Sequence, residues 1–295
     1  MKELVIVSGK GGTGKTSISA ALAYLAPRKV LVDCDVDAAN FHLISGAKIK
    51  KTNEFKAGFE PYIDEKACFK CGQCTVLCRF KAITDGVVTS SLNCEGCGVC
   101  AFNCPEHAIS MREKQAGHWF ISDTRLGCLV HAELGLAIEN SGKLVSKVRQ
   151  EAKKIASDLR LPLIITDGPP GIGCPAIASL SGANLVLAVV EPSVSSMHDL
   201  KRLTDLVSHF GLPLLICINK STLHPENTQE IINWCKNNSI LVAGQLPYSD
   251  IFSKAAQAGK SVLEMPENAK VKTSLLELWY NLADKLELSV VSRKS

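Results

Sequence analysis

The chain has 295 residues, 46% of them hydrophobic, with 33 Lys or Arg against 29 Asp or Glu and thirteen cysteines. That length suits one sizeable α/β domain with a small insertion, and a formal charge of +4 scattered through helical stretches gives no support to nucleic-acid binding. No apolar run is long enough for a bilayer span and Met1 leads straight into strand-forming sequence, so a cytoplasmic protein is expected, one whose cysteines read as metal ligands and not as disulfides.

Leu4 to Ser8 is a short apolar run, a Gly-rich turn follows, and Thr16 to Ala26 carries Ala and Leu at helical spacing, which predicts strand, loop and helix. Apolar runs without polar alternation recur at Val30 to Asp33, Leu163 to Thr166, Leu185 to Val190 and Leu214 to Ile218. Such runs are expected of strands buried on both faces of a parallel sheet. Helical patterns cover Ser141 to Asp158, Ser196 to Phe210, Asn227 to Asn237 and Val271 to Leu286, while Trp119 to Asp123 and Leu126 to His131 read as two strands. The sum is an α/β fold, a doubly wound and mostly parallel sheet with helices on both faces.

After the polar run Lys48 to Lys56 come two strings, Cys68-x2-Cys71-x2-Cys74-x3-Cys78 and Cys94-x2-Cys97-x2-Cys100-x3-Cys104-Pro105. Ala82-Ile83 and Ala108-Ile109 follow them at the same distance, so the segment is an internal duplication with an offset of roughly 26 residues. It bounds a small inserted α+β domain at 58–112, with 1–57 and 113–295 as the two parts of the parent domain. Disulfides and paired structural zinc sites are the alternatives, but zinc leaves the third cysteine of each string unexplained.

The spacing resembles that of bacterial two-cluster ferredoxins. The resemblance implies that Cys68, Cys71, Cys74 and Cys104 hold one [4Fe-4S] cluster and that Cys94, Cys97, Cys100 and Cys78 hold the second, the fourth cysteine of each string crossing over. Arg79 stands after Cys78 where ferredoxins usually place proline, which implies a more exposed second cluster.

Gly9-Lys10-Gly11-Gly12-Thr13-Gly14-Lys15-Thr16-Ser17 satisfies two motifs. It reads as G-x-x-x-x-G-K-T, and Gly9, Gly11 and Gly14 also spell the G-x-G-x-x-G of a dinucleotide fold, with Asp33 as its distant acidic residue. A hydride-transfer enzyme using NAD or a flavin is therefore the competitor. Lys15 and Thr16 decide against it: a nucleoside triphosphate demands a cation at its terminal phosphates and a hydroxyl ligand for Mg²⁺, which a dinucleotide pyrophosphate does not.

With Lys10 inside it, the loop resembles the variant P-loop of the MinD/ParA/Mrp class of ATPases. That resemblance runs from Met1 to about Leu286, and the branch with an inserted ferredoxin domain is the nearest in pattern. It implies that Lys10 reaches the phosphates of a partner subunit in an ATP-dependent homodimer. It further implies that Asp35 orients the attacking water, with Asp37 a substitute, and that Asp167 in Asp167-Gly168-Pro169-Pro170-Gly171 faces Mg²⁺ through water. Asn219 would bond the base and Pro247 would belong to the loop over adenine. Cys174 and Cys128 are candidates for an intersubunit cluster, against the reading of ordinary free thiols; Cys34, Cys217 and Cys235 are assigned to packing. The stripe Leu275, Trp279, Leu282 and Leu286 corresponds to a membrane-binding helix in the MinD branch, but Glu277, Asp284 and Glu287 on its polar face favour packing on the domain. The expected function is a Mg²⁺-dependent ATPase coupling nucleotide hydrolysis to electron transfer with an unidentified redox partner. An iron–sulfur carrier or scaffold, and a positioning ATPase with redox-sensing clusters, are the other classes.

Overall fold

A computed structural model describes residues 1–85, 87–88, 90, 92–135, 140–266 and 269–288. It contains two compact units, one of Met1–Thr52, Trp119–Glu133 and Ser141–Ser295, the other of Asn53–His118 and Leu134–Asn140. In chain order, β1 (Lys2–Ser8), α1 (Lys15–Leu25), β2 (Lys29–Asp33), α2 (Phe41–Ser45) and β3 (Lys48–Ile63) come first. Next are α3 (Gln73–Leu77), β4 (Ile83–Thr84), β5 (Val87–Val88), α4 (Val99–Phe102), β6 (Ile109–Thr124) and β7 (Gly127–Leu134). The rest alternates: α5 (Ser141–Asp158), β8 (Leu163–Pro170), α6 (Cys174–Leu180), β9 (Leu185–Val190), α7 (Val194–His209), β10 (Leu214–Ile218), α8 (Pro225–Asn237), β11 (Leu241–Gln245), α9 (Ile251–Gln257) and α10 (Ala269–Lys285).

Nine strands form one sheet in the order β11-β10-β9-β1-β8-β2-β7-β6-β3. From β11 to β7 every neighbouring pair is parallel. The expected alternation of buried faces follows from the pleat: Leu4, Ile6, Leu187 and Cys217 point into a layer with α1 and α10. Val5, Val7, Ala188 and Ile216 point into the opposite layer with α7 and α8. The stripe Leu275, Trp279, Leu282 and Leu286 lies in the first layer, so packing and not lipid occupies that face. Among the described residues no helix is long and apolar enough to cross a membrane.

The sequence reading stops short of several strands: β6 begins at Ile109, where only Trp119 to Asp123 was read, and β4 and β5 went unread. Two more differ in a way the sheet explains: the polar run after α2 is the start of the sixteen-residue β3, and β11 went unread. Both are the outermost strands of the sheet, where one hydrogen-bonding side suffices and no uninterrupted apolar run is required. Lys48, Lys50, Lys51 and Lys56 along β3 are typical of a guarded edge.

The second unit contains the whole of 58–112 and extends past it, because β3 and β6 continue beyond the cysteine strings. Its backbone repeats with the offset of the sequence. Lys70 and Gly96 have φ of 59° and 66°, Gly72 and Gly98 77° and 75°, Lys81 and His107 53° and 48°. The hydrogen bonds repeat too: Val76 N–H to Gly72 O matches Phe102 N–H to Gly98 O, and Lys81 N–H to Cys78 O matches His107 N–H to Cys104 O. Asp64 N–H bonds Ala108 O at 2.9 Å and Ser90 N–H bonds Ala82 O at 3.3 Å, so each half pairs reciprocally with the other.

Candidate functional site

β1 ends at Ser8, the loop Gly9 to Gly14 turns over its end, and α1 begins at Lys15. Gly14 sits at φ 88° with the Asn219 amide against its Cα, so any side chain there meets both backbone strain and a clash. The loop points the N-terminal amides of α1 at a cleft of about 600 Å³ that also contains Asp35, Asp37, Asn40 and Pro169. A volume of that order fits a small-molecule ligand, and a helix N-terminus with a left-handed Gly turn favours an anionic one.

Asp167, at the end of β8, gathers the polar side chains of α1. Its Oδ1 lies 2.9 Å from Lys15 Nζ and accepts Ser19 Oγ at 2.7 Å, while Oδ2 accepts Thr16 Oγ1 at 2.8 Å. Lys15 is buried, which would lower its pKa, but the carboxylates of Asp167, Asp33 and Asp35 outweigh this and hold it raised. Burial raises the Asp35 carboxyl, with Lys15 opposing.

Asp33 has a function that sequence reasoning missed. It is 1% exposed, and its two oxygens accept Asp35 N–H at 3.0 Å and Phe41 N–H at 3.1 Å. It therefore closes the loop that displays Asp35 and has no oxygen turned toward a ribose, contrary to the dinucleotide alternative. Burial first, then the Asp167 charge, pushes its pKa up to about 7 against the pull of Lys15. The pattern Asp33-x-Asp35 carried no signal that distinguished the two roles.

Lys10 folds back onto its own chain. Its Nζ lies 2.7 Å from Glu191 Oε1 and donates to Ser193 Oγ at 3.1 Å and Ser195 Oγ at 3.2 Å. Lys220 Nζ takes the other oxygen of Glu191 at 2.8 Å and also donates to Gly12 O at 3.0 Å. Burial would raise the Glu191 pKa, but the two lysines outweigh it and hold the carboxyl below its usual range. Asn219 is buried; its amide donates to Thr13 O at 2.8 Å and its Oδ1 accepts Lys220 N–H at 3.0 Å, so it braces the phosphate loop. Pro247 is half-buried in a loop stitched to residues 221–222 by Ser221 N–H to Leu246 O and Tyr248 N–H to Thr222 Oγ1. Neither Asn219 nor Pro247 lines the cleft.

In the second unit Cys78 of the first string joins Cys94, Cys97 and Cys100 of the second around one cavity of about 300 Å³, whose other walls include Leu77, Phe80, Val99 and Met111. Backbone N–H groups point at the sulfurs: Cys78 accepts from Ala82 and Cys104 from Ala108, each at 3.3 Å, and Cys94 from Gly96 at 3.4 Å. Burial raises the thiols of Cys74 and Cys100, with Cys68 adding to the first and Cys94 and Cys97 to the second. Cys68 and Cys74 are half-buried and Cys71 is exposed; all thirteen cysteines are free thiols. Among the described residues no three His, Cys, Asp or Glu side chains are grouped as ligands of a single metal ion. Cys174 is exposed at the start of α6, Cys128 is half-buried on β7, and Cys34, Cys217 and Cys235 are buried as expected.

Residues 4–262 match the family described as the CobQ/CobB/MinD/ParA nucleotide binding domain. The chain is 34% identical over 286 residues to the uncharacterized protein MJ0578 of Methanocaldococcus jannaschii, covering 96% of each. A shorter stretch is 36% identical over 77 residues to the pyruvate synthase subunit PorD of Methanothermobacter marburgensis, covering 23% of this chain and 95% of that protein. In fold it is similar to the septum site-determining protein MinD complexed with Mg-ADP from Pyrococcus horikoshii, with a TM-score of 0.58, 16% identity and 95% of each chain covered.

Proposed function

The chain belongs to the CobQ/CobB/MinD/ParA nucleotide-binding family, and from that premise we propose that it is a cytoplasmic Mg²⁺-dependent ATPase, working as an ATP-gated homodimer, with an inserted two-cluster iron–sulfur module for electron transfer. In this reading Gly9, Gly11, Gly12, Thr13, Gly14 and Ser17 cradle the phosphates, and Lys15 exchanges Asp167 for the terminal phosphate. Thr16, with Asp167 behind it, would hold Mg²⁺, which would supply charge neutralisation for the phosphates. Asp35, fixed by the Asp33 bracket, orients the water. Lys10 leaves Glu191 for the phosphates of the partner, and Lys220 stays behind as the counter-ion of Glu191.

The observation that carries the electron-transfer reading is the single cavity walled by Cys78 and three cysteines of the other string. These residues fit a four-iron cube: three thiols from one string and a fourth from the other, largely apolar walls, and N–H donors to Cys78 and Cys94. A cube holds its thiolates at separate corners, so they need not converge as ligands of one ion do. Cys68, Cys71, Cys74 and Cys104 would hold the companion cluster by the repeat. Such clusters supply one-electron storage, and the match of a short stretch to nearly all of PorD supports a self-contained module.

The test is a redox titration of the anaerobic protein with no nucleotide, with ADP and with nonhydrolysable ATP. Coupling between sites is typically about 1–3 kcal/mol, or roughly 45–130 mV for one electron given 59 mV per factor of ten. Equal potentials in all three states would sink the coupling. Clusters that then pass to an apo-ferredoxin only during hydrolysis would establish a carrier instead.

A further inference from the structure

The two halves of the second unit provide an internal control on each other. Residues 26 positions apart share backbone conformation and hydrogen bonds, so the fold makes the same demands on both members of a pair. Around the cavity of Cys78, Cys94, Cys97 and Cys100 the exposed side chains besides cysteine are Leu77, Arg79, Phe80, Val99 and Glu95. Their counterparts in the other half are Asn103, Pro105, Glu106, Gln73 and Phe69. The turn at 77–80 is apolar and cationic where its counterpart at 103–106 is polar and anionic, while the second string carries Glu95 where the first carries Phe69.

That difference is turned outward. Leu77, Phe80 and Val99 are 39%, 38% and 42% exposed, and the Arg79 guanidinium lies 5.9 Å from the Phe80 ring centroid. Lys81 follows, exposed, where the other half has His107. Pro105 shows that proline satisfies the backbone at the Arg79 position, so folding does not call for a cation there. Glu95 is the one acidic side chain among the cavity's lining residues, and against it Arg79 and Lys81 leave the surface with a net positive charge. Exposed apolar side chains flanked by two cations are the composition of a recognition surface, with apolar contact and charge for steering.

We propose that this rim is where an acidic electron-transfer protein docks, making the second cysteine set the pole of the module that exchanges electrons with a partner. The proposal rests on reading the strings as an electron module. One electron passes from the reduced partner, which is oxidised, to the module, which is reduced, with no bond or proton moved. The acidic class follows from Arg79 and Lys81, which would repel a basic protein.

The test takes the anaerobically purified full chain after its iron content has been measured. An acidic two-cluster ferredoxin and a basic c-type cytochrome serve as probes for binding by isothermal titration. Stopped-flow mixing with the dithionite-reduced ferredoxin at low and high salt gives the electron-transfer rate. The ferredoxin is expected to bind more tightly than the cytochrome and to react more slowly as salt rises. Arg79→Glu with Lys81→Glu should slow it about tenfold, within the usual range of electrostatic steering, and flatten the salt dependence. Glu106→Lys should leave the rate unchanged, and Arg79→Pro, which copies the other half, should lower it while retaining iron. Equal binding of both probes, an unaffected Arg79 variant, or an equal loss in Glu106→Lys overturns the docking site. An iron-free protein overturns the electron-module reading as well.

Discussion

Lys10 is held at 2.7 Å by a carboxylate of its own chain, so its action on a second subunit has to compete with Glu191. Lys10→Ala is expected to bind ATP, since Lys15 and the loop amides remain, yet to lose ATP-dependent dimerisation and at least tenfold in hydrolysis. Glu191→Gln should do the reverse and strengthen the dimer severalfold; sedimentation with nonhydrolysable ATP measures both, and a wild-type chain that stays monomeric excludes the trans role. His131 makes a prediction on pH. It is 5% exposed, stacks on Phe120 and His42 at 5.0 and 5.5 Å, and lies 2.9 Å from Ser122 Oγ. Burial, then His42, lowers its pKa from 6.5 to about 4. Below pH 6.5 the unfolded chain takes up this proton and the native one does not, so stability is lost as pH falls from about 6.5 to about 4. The loss is about 3 kcal/mol at about 1.4 kcal/mol per unit. His131→Gln should flatten the pH dependence of the urea midpoint over that window, and an unchanged profile would assign it to other groups.

At the level of elements, β1 and β8 carry the site between them, because their parallel pairing sets Ile6 beside Asp167. The sheet closes tightly there: a Cβ on Gly168 would lie 2.7 Å from Ile6 O and 2.9 Å from Val7 Cγ1. Gly168→Ala is therefore expected to cost about 1–3 kcal/mol through overpacking, read as a lower urea midpoint at unchanged slope. It should also weaken ATP binding, since any shift of β8 moves Asp167 away from Lys15 and Thr16. A fully stable variant would show that the strands yield more than their packing suggests. Glu3 on β1 has a different purpose; buried, it is met by Arg149 of α5 at 2.8 and 2.7 Å and by Thr166 at 2.9 Å, which fixes that helix against the sheet. The all-buried central strands were legible because each is a short uninterrupted apolar run bounded by turn residues, and the long amphipathic helices because each carries a period of 3.6. The edge strands β3 and β11 were not, since an edge needs pairing on one side only.

For the whole molecule, two four-iron clusters require about eight iron atoms per chain, and iron and sulfide assays of anaerobic protein check this. Cys78→Ser should remove about half of the iron and favour loss of the second cluster, because Cys78 lines the cavity with Cys94, Cys97 and Cys100; zinc in place of iron would sink the assignment. The phosphate loop, the parallel sheet and the doubled cysteine strings were all readable in the sequence, because each is a pattern of near neighbours whose chemistry depends on residue type and spacing. What the tertiary structure decided is which of these groups meet. Lys10 meets Glu191, Asn219 meets Thr13, and Asp167 gathers Lys15, Thr16 and Ser19, across separations of about 150 to 200 residues. No local period encodes such pairings, since they follow from the order in which the strands join the sheet. Asp33 and Asp35 stand two positions apart on one motif, yet burial turns the first into a backbone bracket and leaves the second at the cleft.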